Sequence, residues 1–437
     1  MWICAIDFKK AFDTVEHESI WAALEHQKVH SKYISILKEL YTGQTGQVIA
    51  DKVSRNFDIN RGTKQGDPIS PCLFSAVLEF AMGDIQVLWK SRRCGIELKE
   101  GERLTNLRFA DDILLFATSR EMLSEVLRGL KSAAGRVGLE LHMGKTKILT
   151  NEFARPSFEQ DWAIVDEEMV EILHAKSCTM YLGRCLNLHN AQENEIEYRI
   201  GAAWGKFISR KSELCSKNYS LRARLKLFEA TVTKTALYGS ETWAMTAATR
   251  RRLSTTQRKM LRWMVGSGRK TGHVEDNEEV ESSRKSSANT SSSEHSEPSA
   301  DSGEEDGDGT EKLENWVDWI KRTTGLALGE LQKMKVEEWV SQQRRLHGRW
   351  AGHVLRMVDN RWTVRAMLWE PTTGSRRAGR PSKRWIDDIW AFCTELEDSR
   401  RMTHMLRNAG KVTSQYRLKW QRLWKRHEDG FARAISG

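Results

Sequence analysis

The sequence predicts an α+β fold in which a mostly antiparallel sheet carries helices on one face and is followed by two helical regions. Two apolar runs typical of strands, near residues 2–6 and 107–116, each meet carboxylates. Apolar residues recur at helical spacing over residues 16–27, 31–41 and 119–137, and again through much of the chain after residue 190. The 437 residues, 39% of them hydrophobic, allow two or three domains with cores of their own.

The charge, cysteine content and apolar stretches of the sequence indicate what kind of partner the protein binds and in which compartment it lies. The formal net charge of +10 favours a polyanion, and nucleic acid before a membrane. Seven cysteines without a closely spaced pair argue against a disulfide framework and for a reducing compartment. No stretch reaches the ~20 apolar residues of a membrane span, and Asp7, Lys9 and Lys10 come too early for a secretory signal. The protein is therefore expected to be neither secreted nor membrane-embedded.

Carboxylates stand at the ends of two predicted strands. Asp7 closes the first apolar run, and Asp111 with Asp112 lies between two further runs, which predicts a hairpin with both aspartates at its tip. Alone, such a pair is an ordinary solvated turn. If the strand of Asp7 lies beside the hairpin, three carboxylates meet and can hold two hard cations about 3.5–4 Å apart, magnesium by default, for in-line phosphoryl transfer.

A loop rich in turn residues separates these two sites. Residues 60–71 contain two glycines and two prolines, and Ser70 with Pro71 is predicted to open a helix in the N-cap and first-turn positions. The apolar run over residues 73–89 is long enough for a buried helix. On its own the loop is a connector, yet its cationic and amide groups also suit phosphates or a base pair; they are Arg61, Lys64 and Gln65.

Three segments in this order resemble the palm motifs of reverse transcriptases, most closely those of non-LTR, or LINE-type, retrotransposons. The segments are residues 7–13, 62–71 and 109–112. One such motif is weak evidence, whereas three in order are strong. The resemblance implies a polymerase palm, an RNA template, a DNA primer, deoxynucleoside triphosphates and two Mg²⁺ ions.

The resemblance also assigns roles to particular residues. Asp7 and Asp111 match the aspartates that bind the two ions, with Asp112 as a less essential neighbour. Positions that match nucleotide- and template-binding residues are Ala11, Phe12, Gln65 and Gly66. Among them, Phe12 takes the place of the bulky side chain that clashes with a ribose 2′-hydroxyl and so selects deoxynucleotides.

Two more segments extend the match. Residues 138–147 resemble the next polymerase motif, in which the lysine corresponding to Lys145 protonates the leaving pyrophosphate. His142 departs from the asparagine usual in the family. Residues 181–183 resemble the primer-grip turn. Without the upstream motifs, Lys145 is simply a solvated lysine beside a strand.

The resemblance and the composition together predict four regions. Residues 1–189 are expected to form the palm, and residues 190–272 a basic helical thumb. Residues 273–311 are acidic and serine-rich with few apolar residues, which predicts a disordered linker. Residues 312–437 are helical, basic and rich in tryptophan, and an arginine-rich loop at residues 376–384 is the part best suited to RNA.

Two functions from different classes follow. The first is an RNA-directed DNA polymerase located in the nucleus or cytoplasm. The second is a catalytically inactive remnant that binds RNA or DNA, because Met1 directly precedes the first catalytic strand and the chain is expected to be truncated before it, without the fingers that hold the triphosphate in related polymerases. Such a loss spoils positioning, an effect that can cost orders of magnitude in rate. Nothing in the sequence indicates the oligomeric state.

Overall fold

The computed structural model describes most of the chain up to residue 272 and three stretches beyond it. The described residues are 1–64, 66–99, 101–151, 162–165, 168–173, 177–272, 312–357, 362–367 and 383–395. The predicted linker and most of the arginine-rich loop lie outside these ranges.

The described chain forms two compact units. The first comprises Met1–Ala202, Leu237–Thr249 and the described residues from Gln343 onward, and the second comprises Ala203–Ala236 and the described residues of Arg250–Gln342. These units cut across the predicted domain order, because residues after 312 contribute to both. The domain boundaries themselves stay a prediction.

A six-stranded sheet forms the centre of the first unit. Its strands, in spatial order, are β6 (Asn106–Phe109), β7 (Asp112–Ala117), β1 (Trp2–Ile6), β8 (Lys147–Thr150), β10 (Glu168–Ile172) and β9 (Trp162–Val165). All neighbours are antiparallel except β8 and β10. The mostly antiparallel sheet of the predicted α+β fold is thereby confirmed.

Helices cover one face of this sheet. They are α1 (Ala11–Thr14), α2 (His17–His26), α3 (Ser31–Tyr41), α4 (Ser70–Ser91) and α5 (Arg120–Gly135). Because strand side chains alternate between faces, Cys4 and Ile6 of β1 point into the core beneath these helices, while Ile3 and Ala5 point the other way. Burial of a large apolar side chain in such a core contributes about 1.5–3 kcal/mol.

Two hairpins cover the opposite face. They are formed by β4 (Ile96–Lys99) with β5 (Glu102–Leu104), and by β11 (Thr179–Tyr181) with β12 (Arg184–Leu186). Tyr181, Leu186 and Trp362 pack there against apolar residues of β1, β7 and β8. Trp362 belongs to α13 (Trp362–Met367), so a segment far along the chain completes this face.

The predicted helices agree with α2, α3 and α5 to within two residues at each end. Between α3 and α4, β2 (Thr45–Gly46) pairs with β3 (Phe57–Asp58), and an isolated bridge joins Ile49 to Val53. Ile49 is 79% exposed and Val53 59% exposed. Without a buried face, the register of such a hairpin is weakly specified by apolar alternation.

The start of α4 also differs from the prediction. Ile69, not Ser70, is the N-cap residue, and Ser70 begins the helix with Pro71 in its first turn. The Asp67 carboxylate accepts a hydrogen bond from the Ile69 amide at 3.1 Å, while the Ser70 hydroxyl donates to the Lys64 carbonyl at 2.6 Å. The Asp67 side chain therefore stabilises the turn before α4 by accepting a backbone hydrogen bond. The Ser70 side chain connects the start of the helix to the preceding loop.

Helix α4 also contradicts the expectation that no apolar stretch of the chain is long enough for a membrane span. It is long and apolar enough to cross a membrane by length and composition, the sole such helix in the described part of the chain. Half of its apolar stretch is buried in the fold, and it packs against α2 and α5 with Trp89 only 1% exposed. The apolar residues of α4 therefore pack in the core of the first unit.

The remaining elements are helical apart from one short strand pair. In chain order they are α6 (Ala191–Ser209), α7 (Lys211–Leu214), α8 (Leu221–Phe228), a π-helix (Glu229–Thr233), α9 (Lys234–Ala236), a 3₁₀ turn (Ser240–Thr242), α10 (Ala247–Val265), β13 (Thr271–Gly272) paired with β14 (Lys312–Leu313), α11 (Trp316–Lys333), α12 (Trp339–Arg356), and, after α13, α14 (Asp387–Glu395).

Tryptophans build the core of the second unit. The Trp339 ring stacks on Phe228 with centroids 5.8 Å apart, and its indole N–H donates to the Thr233 hydroxyl at 2.8 Å. Trp263 packs edge-on against Phe207 and Trp204. Trp339 is fully buried, so its ring is a core residue rather than a platform for bases.

Candidate active site

Strand pairing brings the three predicted carboxylates to one end of the sheet. The register of β1 and β7 pairs Ile6 with Ile113, so the next step of the same antiparallel ladder sets Asp7 opposite Asp112. Phe109 pairs with Asp112, which leaves Ala110 and Asp111 as the two-residue loop of the β6–β7 hairpin. Asp111 therefore lies at the tip and Asp112 opens β7.

The hairpin turn holds an unfavourable backbone conformation. Ala110 has φ of 51°, in the left-handed region, where a residue with a Cβ loses roughly 1–2 kcal/mol. Extensive pairing of β7 with both β6 and β1 holds the turn in place. Strain of this kind persists only when the surroundings over-determine it, and it is frequent at functional sites.

Repulsion between the aspartates is evident in their electrostatics. The pKa of Asp112 is raised by partial burial first, and then by the negative charges of Asp111 and Asp7. One carboxylate oxygen of Asp7, Oδ2, is buried and has no hydrogen-bond partner in the described part of the chain. A nearby cation would relieve both conditions.

Lys145 supplies a positive charge at this end of the sheet. Its Nζ lies 3.7 Å from Asp7 Oδ2, and its side chain is 67% exposed. The backbone positions it: the His142 amide donates to the Asp7 carbonyl at 2.7 Å, and the Lys145 amide donates to the His142 carbonyl at 3.0 Å. The departure from the family at His142 leaves these backbone bonds in place, because they need no particular side chain.

The residues present fit a magnesium site that is completed by its substrate. Across the described ranges, no three Asp, Glu, His or Cys side chains already form a ligand set. Magnesium commonly binds one or two carboxylates together with waters and substrate phosphates. The orphaned oxygen of Asp7 and the repulsion at Asp112 match the protein's share of such a site.

Phe12 lies beside this end of the sheet in a fixed position. Its ring stacks on Phe74 of α4 with centroids 4.5 Å apart. The Thr63 amide donates to the Phe12 carbonyl at 2.7 Å, so the 60–71 loop and Phe12 are held together. Ala11 is buried next to it, at 4% exposure, and belongs to the core.

Gly62 fixes the contact between that loop and the segment carrying Phe12. Its amide donates to the Val15 carbonyl at 2.7 Å, its φ is +89°, and an added Cβ would lie 2.7 Å from the Asp13 carbonyl oxygen. Gly66 also has a positive φ but open space around it. Gln65 lies outside the described residues.

We expect Gly62→Ala to destabilise the first unit by about 1–3 kcal/mol, because both the left-handed backbone and the close approach to Asp13 oppose a side chain. Urea unfolding measures the change. Gly135→Ala is the matched control, since Gly135 ends α5 in open space and should lose nothing. Equal stability of the two variants would contradict the prediction.

A buried ion pair holds the turn at residues 181–183, and the sequence did not reveal it. Glu195 and Arg199, with side chains 1% and 8% exposed, pair at 2.9 Å on α6. Glu195 also accepts the Cys185 amide at 2.7 Å, and the Arg199 guanidinium donates to the Gly183 carbonyl. The turn, in which Leu182 and Gly183 have positive φ, is thus tied to α6 on one side.

Tyr238 ties the same turn from the other side. Its hydroxyl donates to the Leu182 carbonyl at 3.1 Å, and the Arg199 guanidinium lies 4.6 Å from its ring centroid. Burial first, and then the negative charge of Asp112, raise the pKa of Tyr181 to about 12. The signal that could have found Glu195 and Arg199 is their i, i+4 spacing on the otherwise apolar face of a predicted helix.

A strand-end aspartate opposite a hairpin that carries two more, on a sheet backed by helices, is the arrangement of a polymerase palm. A family model described as reverse transcriptase (RNA-dependent DNA polymerase) matches residues 1–193. A transposon-derived protein of Caenorhabditis elegans is 30% identical over 292 residues, covering 66% of this chain and 85% of that protein. The chain belongs to the reverse transcriptases of non-LTR retrotransposons.

The match to other relatives covers a smaller share of their length. A Pol polyprotein from the type-1 retrotransposable element R2 of Nasonia vitripennis is 29% identical over an alignment of 199 residues, with coverage of 43% of this chain and 18% of the polyprotein. A telomerase structure from Candida albicans matches with a TM-score of 0.35 at 12% identity, covering 61% of this chain and 49% of that one. The chain thus spans most of the worm protein and about a fifth of the R2 polyprotein.

Proposed function

We propose that this chain catalyses RNA-directed DNA synthesis, extending a DNA primer on an RNA template with deoxynucleoside triphosphates. The observation that carries the proposal is the register that sets Asp7 opposite Asp112, with Asp111 at the hairpin tip beside them. In this reaction the primer 3′-oxygen forms a bond to the α-phosphorus while the bond to pyrophosphate breaks.

Each residue of the site would have a defined task. Asp7 and Asp111, with Asp112, would hold two Mg²⁺ ions, which when bound activate the attacking oxygen and stabilise the leaving one. Lys145 would donate a proton to the departing pyrophosphate, and its distance of 3.7 Å from Asp7 Oδ2 places it within reach of the site. The 60–71 loop, with Gln65 and Gly66, would contact the nucleotide and template.

The remaining assignments extend the same proposal. The basic helices within residues 190–272 would grip the primer–template duplex. Nucleus or cytoplasm is the compartment proposed for a protein that copies RNA into DNA. The net charge of +10 supports a nucleic-acid partner in either place.

Primer extension tests the proposal. The full chain is incubated with an RNA template, a labelled DNA primer, deoxynucleotides and Mg²⁺, and parallel reactions contain chelator or a DNA template. Metal-dependent extension on RNA would support the polymerase. Retained RNA binding without any extension would contradict it and favour the inactive remnant.

We expect Phe12→Val to weaken discrimination against ribonucleotides by roughly 10- to 200-fold, because a smaller side chain removes the clash with the 2′-hydroxyl. The measurement is the ratio of kcat/KM for dCTP and CTP within one variant, so that a loss of folded protein cancels. Phe57→Val, which shortens an exposed phenylalanine on β3, is the control. An unchanged ratio would show that Phe12 does not face the sugar.

A further inference from the structure

A basic groove lies on the first unit, on the side of the catalytic hairpin where β4, β5 and the end of α4 meet. It consists of a cavity of about 980 Å³ and an adjoining one of about 390 Å³, which share Asn106, Arg108 and Trp362. The smaller cavity reaches Ala110, in the turn next to Asp111. The groove therefore runs from the base of the catalytic turn to the end of α4.

The lining of the larger cavity is strongly positive. It contains one carboxylate, Glu97, and four cationic side chains, which are Lys90, Arg93, Arg103 and Arg108. Arg108 pairs with Glu79 at 2.8 Å, on the wall of the smaller cavity. Within the described chain, no hydrogen bond or ion pair engages the side chain of Lys90 or of Arg93, so two cations are available to a ligand.

Arg103 also has a donor group that an anionic ligand in the groove could use. Its guanidinium donates to Glu97 and to the Gly95 carbonyl, each at 3.0 Å. The Nε–H of the same guanidinium is buried and finds no partner among the described residues. A buried donor without an acceptor is costly, and an anionic oxygen in the groove would satisfy it.

Trp362 adds an aromatic wall to these cations. Its ring borders both cavities, and the Arg365 guanidinium lies 4.8 Å from its centroid. Grooves that combine backbone-tracking cations with an aromatic ring for stacking are typical of sites for single-stranded nucleic acid. A lone phosphate or a duplex would leave the ring unused.

We infer that this groove binds a short single-stranded polynucleotide, with phosphates at Lys90, Arg93 and Arg103 and a base against Trp362. The inference goes beyond the proposed polymerase reaction, because the groove lies beside the carboxylates and takes a strand that is not being copied at that moment. Binding needs no catalysis, so a failed extension assay and a failed binding assay are separate results.

Fluorescence anisotropy tests the inference with the full chain and labelled oligonucleotides of about ten nucleotides, one of RNA and one of DNA, in excess blunt RNA–DNA duplex. We expect Lys90→Ala/Arg93→Ala to weaken binding about tenfold. Each lost phosphate contact also lowers the slope of log Kd against log salt by about 0.7, so about 1.4 for the pair. The two oligonucleotides show which polynucleotide is preferred.

The control is Arg128→Ala/Arg136→Ala, which removes the same charge from two exposed positions, one on α5 and one directly after it. Trp362→Ala should weaken binding without changing the salt slope, and Trp362→Phe should restore most of it. Equal losses in the test and control pairs would overturn the inference. Complete displacement of the oligonucleotides by the duplex would also overturn it, because the site would then not be selective for single strands.

Discussion

Asp111→Asn will reduce primer extension about a thousandfold or more while leaving the protein folded. The change removes a carboxylate from the tip of the β6–β7 hairpin, where the loop position requires no packing by the side chain. A bound ion stabilises developing charge by several kcal/mol, and about 4 kcal/mol corresponds to a thousandfold in rate. Single-nucleotide extension at saturating primer–template, titrated with Mg²⁺, measures the loss.

The same variant should be no less stable than the parent protein in chelator. The negative charge of Asp111 contributes to the raised pKa of Asp112. A carboxyl whose pKa is raised in the folded state destabilises the fold as pH rises through that pKa. Removing the neighbouring charge lowers the pKa of Asp112 towards its usual value, so stability above that range should hold or improve.

Asp84→Asn provides the matched control, since Asp84 is an exposed aspartate on α4 and was not predicted to bind an ion. It should retain full activity and the same Mg²⁺ dependence. If Asp111→Asn extends primers at the parental rate, the hairpin tip does not bind a catalytic ion. If both variants lose activity, the loss reflects charge on the surface rather than a ligand.

Local patterns explain what the sequence could predict. Helices α2, α3 and α5 follow from apolar residues at helical spacing. The structure adds that Ser119 caps α5, because its side chain accepts a hydrogen bond from the Met122 amide. The adjacency of Asp7 and the hairpin could be proposed because motif order implied a common sheet. The roles of Asp7, Asp111, Asp112 and Lys145 nevertheless stay predictions, since their positions alone do not measure catalysis.

Contacts between distant segments could not be predicted. Nothing local to Trp362 indicates that it packs against β1, β7 and β8, which lie more than 200 residues earlier in the sequence. The tie from Tyr238 to Leu182 spans 56 residues. Such pairings depend on which apolar surfaces remain uncovered once the sheet has formed, and periodicity along the chain carries no information about that choice.

Glu195→Gln and Arg199→Lys will each slow nucleotide incorporation, by up to about a hundredfold, through misplacement of the turn at residues 181–183. Both side chains are almost fully buried, and together they hold the Cys185 amide and the Gly183 carbonyl. A shift of about 1 Å in a positioning element can cost a hundredfold in rate. If this turn grips the primer, the rate constant for incorporation falls more than the affinity for nucleotide.

The substitutions also carry a structural cost that must be separated from positioning. Breaking a buried ion pair by removing one partner destabilises by about 3–5 kcal/mol, because the other charge is left without compensation. Gln and Lys retain part of the hydrogen bonding and should cost less. Urea unfolding of both single variants and the double variant gives the coupling energy between the two side chains.

Pre-steady-state kinetics separate the two explanations. A smaller folded fraction lowers the burst amplitude but leaves the rate constant of the burst unchanged, whereas a displaced turn lowers the rate constant at full amplitude. Glu197→Gln on the exposed side of α6 is the control and should change neither. A loss confined to amplitude would mean that the pair stabilises α6 without positioning the primer. A lower rate constant in both single variants, with little further loss in the double variant, would show that Glu195 and Arg199 act on the turn as one unit.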